Sequence, residues 1–270
     1  MPRTELKGEL LLAALERGEV RAAERGEDGI WRTDEGVKEG ILEIFRTSPV
    51  ITQHNEVHPT DLTNTFFRSI PFRDKALLTV RRFTEGSKVR LVPGGSAVRR
   101  GAHVGPNVVI MPPSYVNVGA FVGGESMVDS HVLVGSCAQV GQRVHLSAGV
   151  QVGGVLEPAN ARPVIVEDDA FVGGNCGLYE GVLVRKGAVL AAGVVLTAGT
   201  TLYDVVNERE IRGSREAPLE VPERAVVVPG TRPVSSPWGR ERGLAAACAI
   251  LVKYRDEKTD RATALEGALR

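Results

Sequence analysis

Aromatic side chains are scarce in this chain, which has seven Phe, four Tyr and two Trp in 270 residues. That excludes an interior built on large rings, so the 43% of hydrophobic residues must form an aliphatic core. Cysteine is scarcer still. Cys137, Cys176 and Cys248 are odd in number, far apart and without Cys-x-x-Cys spacing, which argues against a disulfide framework and for a reducing cytoplasm. Net charge is absent as well: 33 Lys plus Arg balance 33 Asp plus Glu, so no overall field draws the chain to nucleic acid or a membrane surface. An anionic ligand has to be held by local groups. Long apolar runs are also missing. In MPRTELKGELLLAALERGEV glutamates interrupt the apolar stretch and no small-residue cleavage site follows, so neither a secretory leader nor a membrane span is expected, and the location expected is cytoplasmic.

What the sequence does have is a period. Counting in sixes from Val92 gives Val98, Val104, Ile110, Val116, Val122, Val128, Val134, Val140, Leu146 and Val152, then after a longer interval Val166, Val172, Leu178, Val184, Leu190, Leu196 and Leu202. The chance of so unbroken an aliphatic series is on the order of one in a billion or less. Six matches neither the 3.6 of a helix nor the alternation of a strand, but it is the repeat of a parallel β-helix, in which each hexad forms one flat side of a triangular coil. Three hexads close a coil, coils stack at the strand spacing of about 4.8 Å, and about six coils make a rod roughly 30 Å tall. The aliphatic residue points inward. A second inward position, four residues on, is small or β-branched (Ala102, Ala120, Ser126, Ala138, Ala198), with Gly, Asn or Asp at the corners. The register breaks between Val152 and Val166, where GGVLEPANARPVIVE exceeds whole hexads by two residues, so a loop is expected to be extruded near 153–165.

Outside the repeat the pattern changes. Glu5–Arg17 and Asp34–Phe45 carry apolar residues at helical spacing, with Thr33 or Asp34 as a helix cap, so residues 1–89 are expected to form a small, mostly helical domain. Residues 90–206 form the β-helix. Residues 207–270 carry a charged, proline-bearing stretch, a strand-like run over Leu244–Tyr254 and a helix near Thr259–Leu269, and are expected to cap the open end of the coil.

Function should sit where the repeat is interrupted. The residue after the inward aliphatic is commonly Gly (Gly105, Gly123, Gly135, Gly141, Gly153, Gly173), but in MVDSHVLVGSC that slot holds Asp129. Its side chain must point out of the coil near a corner, either as a turn residue bonding its own backbone or as a functional carboxylate. Glu180, in GLYEG, is a second outward carboxylate, and a solvated surface glutamate is the plain alternative. His103, His131 and His145 also lie in the coils, without zinc-ligand spacing, so no metal is expected. His131 is read as lining a substrate cleft or a subunit contact, and His145 as a stacked corner residue. Cys137 at a corner and Cys176 at a second inward position are read as packing residues.

The run VDSHVLVGSCAQVGQRVHLSAGVQVGGVLEP, followed by VIVEDDAFVGGNCGLYEGVLVRKGAVLAAGV, closely resembles the tetrahydrodipicolinate N-succinyltransferase family. LERGEVRAAERGEDGIWRTDEGVKEGILEIFR looks like that family's helical domain, KVRLVPGGSAVRRGAHVG like the lead-in to its coil, and AAACAILVKYRDEKTDRATALEGALR like its last strand and helix. PGGSAVR and MPPSYVN each carry one residue more than the resemblance leads us to expect, and GGNCGLYEG departs from the family's usual wording around Glu180.

The resemblance implies a left-handed coil, a homotrimer with sites between subunits, and a reaction in which succinyl-CoA acylates the amine of hydrated, ring-opened tetrahydrodipicolinate on the route to diaminopimelate and lysine. It implies Asp129 as catalytic base, Glu180 as a second acidic group from a neighbouring subunit, and Arg90 as the partner of a substrate carboxylate. His131 is expected to line the same cleft. Gly153 and Gly154 are expected to leave room for the pantetheine arm of CoA, and Arg185, Lys186 or Lys253 to meet its phosphates. No cofactor is expected to be permanently bound, CoA entering as cosubstrate, and neither nucleic acid nor membrane is an expected partner. The same fold with acetyl-CoA and another small amine or hydroxyl acceptor is the alternative enzyme, and a β-helical scaffold without catalysis is the non-enzymatic one.

Overall fold

The computed structural model of the chain describes residues 6–53 and 72–256. The expected helix near Thr259–Leu269 lies outside them. Two helices open the chain, α1 (Gly8–Arg17) and α2 (Glu35–Thr47). Asp34 caps α2, its carboxylate accepting the Val37 N–H at 3.0 Å. Between them β1 (Ala23–Arg25) and β2 (Trp31–Thr33) form an antiparallel pair, and β3 (Val50–Gln53) pairs with β4 (Phe72–Lys75). Leu11, Leu12, Leu15, Val37, Ile41 and Ile44 close a small core against Val118 and Cys137 of the coil.

From Arg90 onward the chain winds through two-residue strands into three parallel sheets. Face one begins Arg90, Val109, Met127, His145, Phe171, Val189; face two Ala97, Tyr115, Leu133, Gln151, Gly177, Val195; face three His103, Phe121, Gln139, Ile165, Leu183. Successive partners on one face are eighteen residues apart, as in Phe121↔Gln139 and Met127↔His145. This is a triangular coil of three hexads per turn, and the aliphatic series from Val98 to Leu202 is 0% exposed apart from Val104 at 5%. The interior is one aliphatic column. Truncating it at mid-height, Leu146→Ala, is expected to cost about 2–5 kcal/mol, read as a lower denaturant midpoint at fixed protein concentration.

The frame differs from the sequence reading at two places. At the start, Leu91 rather than Val92 aligns with Ile110, so the additional residue in PGGSAVR is taken up before Val98. At the interruption, Gln139 pairs with Ile165, twenty-six residues on where other coils step eighteen, so eight residues leave the coil. The interval is one hexad plus eight extruded residues, not two hexads plus two. Ala198, expected among the small inward residues, is only half-buried, because it stands two residues after Leu196 at the corner and not four.

The C-terminal segment adds strands to two faces of the coil. Glu220–Val221 pairs with Leu183–Val184 on face three, and Val226–Val227 with Val189–Leu190 on face one. Strands Ala225–Pro233 and Ala245–Tyr254 then form a long antiparallel hairpin, with helix α3 (Pro237–Glu241) at its tip. The N-terminal segment is seated on face three. The Arg21 guanidinium lies 3.6 Å from the Phe121 ring centre and 5.6 Å from that of Trp31, and donates to Gln139 Oε1 at 2.9 Å. Burial there pulls its pKa down to about 10. His145 is not a corner residue as expected: it stands in a face-one strand, edge-on to Phe171 at 4.9 Å.

Candidate active site

Corners position everything that can react. A hexad turns by placing the third residue after the inward aliphatic in the left-handed region, as at Asn107 (φ 60°), Glu125 (60°), His131 (63°), Cys137 (65°) and Asn175 (57°), or by using glycine there, as at Gly119 and Gly149. At the corner after Leu178, Glu180 (φ 54°) and Gly181 (φ 75°) are both left-handed, the glutamate one position earlier than the left-handed residues just named. A Cβ on Gly181 would come within 2.6 Å of the Arg162 carbonyl oxygen, so the second must be glycine. The first is a glutamate in a conformation that Glu125 and other corner residues of the coil also adopt.

Glu180 faces a cleft of about 840 Å³ on the edge between faces two and three. Its walls are the extruded loop (Gly153, Gly154, Val155, Glu157, Pro158, Ala161, Arg162), Tyr179, the 197–199 corner, and Ser214, Arg215 and Pro218 of the C-terminal segment. Glu180 Oε2 accepts the Ala198 N–H at 3.1 Å, which aims the carboxylate along the cleft. Arg162 braces the corner beneath it, donating to Gly181 O at 2.8 Å, Pro218 O at 2.8 Å and Glu220 Oε1 at 2.5 Å. Glu220 also accepts from Arg185 at 2.6 Å. Burial pushes the Glu220 carboxyl up, but the two guanidiniums outweigh it and hold the group below its ordinary value.

Asp129 is on another edge, between faces one and two. It is half-buried, and its Oδ1 accepts the Ser130 N–H at 2.7 Å, so the turn contact offered as its plain alternative is present. His131, exposed, is two residues on. Arg90 stands on face one in register with Val109 and Met127, two layers or roughly 10 Å along the stack from Met127. Thus Arg90, Asp129 and His131 share one side of the rod, and Glu180, Gly153 and Gly154 share another.

The remaining residues named from sequence lie elsewhere. Arg185 is committed to Glu220 and, at 3.3 Å, Glu167. Lys186 and Lys253 are on or beside the third edge, 3.9 Å from Asp169 and 3.0 Å from Asp256 respectively. None of the three lines the cleft. Gly153 and Gly154 do, but a Cβ there would meet Tyr179 at 2.8 Å and the Ser136 backbone N at 2.8 Å, so coil packing already requires both glycines. The sequence reading missed Arg162, Tyr179 and Arg215. Their segments stood out, but which side chains turn inward depends on how an irregular loop folds back.

Known proteins resemble the chain along its length. A family model described as the hexapeptide repeat of succinyl-transferase matches residues 163–198, and one described as the tetrahydrodipicolinate N-succinyltransferase N-terminal region matches 9–47. Proteins from Bradyrhizobium diazoefficiens (41% identical, covering 99% of this chain and 92% of the relative) and Nitrobacter winogradskyi (42%, 96% and 87%) are both named 2,3,4,5-tetrahydropyridine-2,6-dicarboxylate N-succinyltransferase. A crystal structure from Campylobacter jejuni, described as a 2,3,4,5-tetrahydropyridine-2-carboxylate N-succinyltransferase, is 17% identical with a TM-score of 0.53, and the match covers 95% of this chain and 63% of that one. At that identity it speaks for the fold alone, the left-handed parallel β-helix.

Proposed function

The chain belongs to the 2,3,4,5-tetrahydropyridine-2,6-dicarboxylate N-succinyltransferase family, and we propose that its two acidic edges carry out that transfer at a seam between copies. It is an acyl-CoA-dependent enzyme of lysine and diaminopimelate biosynthesis. The observation that supports the seam is the separation of Asp129 and Glu180. They stand on different edges of one prism, so they can share a site only if edges of two chains meet. A contact joining unlike edges is head-to-tail, and a three-sided rod suits closing it as a ring of three.

In that seam the ring-opened substrate presents its amine to Asp129. The carboxylate takes a proton as the nitrogen attacks the thioester carbonyl; the C–N bond forms, the C–S bond breaks and the thiolate of CoA leaves, to be protonated. Asp129 gives that proton back to the leaving thiolate, and Glu180, from the neighbouring copy, guides this return or the hydration of the cyclic imine. Arg90 pairs with a substrate carboxylate through its planar fork, and His131 lines the same side. The cleft along Glu180 takes the acyl arm, passing Gly153 and Gly154, with Ser214 and exposed Arg215 available to its anionic groups. Lys186 and Lys253 lie on the third edge, where a neighbouring chain's CoA phosphates would have to reach them. Arg185 is held by its carboxylates and braces the cleft instead.

The test is a steady-state comparison of succinyl-CoA with acetyl-CoA on tetrahydrodipicolinate. We expect kcat/KM to favour succinyl-CoA by at least about tenfold, the worth of one recognised carboxylate. A preference for acetyl-CoA would leave an acetyltransferase, and equal use of both donors would remove the succinyl selectivity.

A further inference from the structure

Lys38 is 0% exposed, deep in the junction between α2 and the extruded loop. Its ammonium donates to two main-chain carbonyls of that loop, Pro158 O at 3.1 Å and Ala161 O at 2.7 Å. A buried cation is costly unless its donors are met, and Lys38 is met by loop backbone rather than by a carboxylate. Beside it the loop's Leu156 packs into the N-terminal apolar core with Ile41 and Ile44. The loop residues that Lys38 grips, Pro158 and Ala161, form cleft wall with their other side, next to Arg162, which braces the Glu180 corner. The loop is thus held from behind by the N-terminal helices and faces the reaction from the front.

We propose that Lys38 is a positioning residue for the acyl donor, its ammonium fixing the wall of the cleft in front of Glu180 from inside the N-terminal domain. This rests on the reading that the cleft takes the acyl arm. It also gives the N-terminal helices a task in the reaction beyond covering face three. Lys38 touches no reacting atom; it acts through Pro158 and Ala161.

The full-length enzyme carries the test, with Lys38→Met, Lys38→Ala and the wild type compared by hydrogen exchange and steady-state kinetics. In Lys38→Met we expect amides of 155–164 to exchange about tenfold faster while the coil strands exchange as before, and the KM for succinyl-CoA to rise about tenfold with kcat within about threefold. Lys38→Ala removes three carbons and the nitrogen, and n-propylammonium, which supplies them, should lower its KM toward the wild-type value where n-propanol does not. Unchanged loop exchange in Lys38→Met, or rescue by the alcohol as well, would overturn the proposal. If the variants do not fold, the wild type decides: amides of the loop and of α2 should open as one unit, and a loop exchanging far faster than α2 counts against the strut. A wild type without succinyl-CoA turnover sinks the reading of the cleft instead, and leaves the exchange result standing.

Discussion

Asp129→Asn should lower kcat by about 10²–10⁴-fold, the usual worth of a positioned general base, while the affinity for CoA stays within about threefold of wild type. The substitution separates the two roles the residue has in the structure. Its Oδ1 accepts the Ser130 N–H at 2.7 Å, a contact an asparagine carbonyl oxygen reproduces, so the corner keeps its shape. What disappears is the charge and the ability to hold a proton. If the carboxylate were there for the turn alone, the variant would turn over normally with unchanged thermal stability. Asp129→Ala is the less informative companion, since it removes the turn contact and the base together. The readout is therefore kcat for the Asn variant beside isothermal titration with CoA.

How much of this was legible beforehand follows from what periodicity encodes. The inward column from Val98 to Leu202 and the corners that hold Asp129 and Glu180 could be read from spacing, because each hexad repeats the same local geometry and needs no distant partner. Asp34 as the cap of α2 was legible for the same local reason. The cleft was not. Arg162 and Arg215 reach it through an eight-residue excursion and a C-terminal segment whose paths depend on long-range packing, and Tyr179, on the coil beside Glu180, becomes cleft wall only because those segments fold back opposite it. The shift of the turn at Glu180 by one position was also invisible, since a left-handed glutamate followed by a left-handed glycine reads in sequence as an ordinary turn pair. Charge misled where it was taken without partners: Arg185 reads as a free cation, but two carboxylates 35 and 18 residues away hold it.

Mixing two dead variants should restore activity. Asp129→Asn and Glu180→Gln are each expected to be nearly inactive alone, yet refolded together in equal amounts they should recover about a quarter of wild-type turnover. The fraction follows from assembly: a seam needs an intact Asp129 from one copy and an intact Glu180 from the next, and each is present half the time. If both residues of a site came from the same chain, no mixed assembly would contain a complete site and nothing would return. The geometry already disfavours that outcome. Asp129 follows the face-one strand Met127–Val128 and Glu180 the face-two strand Gly177–Leu178, so a whole side of the prism lies between their edges, roughly 20 Å for a hexad of extended chain. They also differ by two layers, since Leu133 pairs with Gln151 and Gln151 with Gly177, adding roughly 10 Å along the stack. No side-chain rotation spans that distance within one chain, whereas the proposed head-to-tail contact would remove its lateral part and leave the roughly 10 Å along the stack for amine and acyl donor to bridge. Sedimentation of the mixed sample, measured beside its activity, separates recovery within one ring from exchange between rings: activity that rises with time only under conditions where subunits exchange is the signature of a shared site.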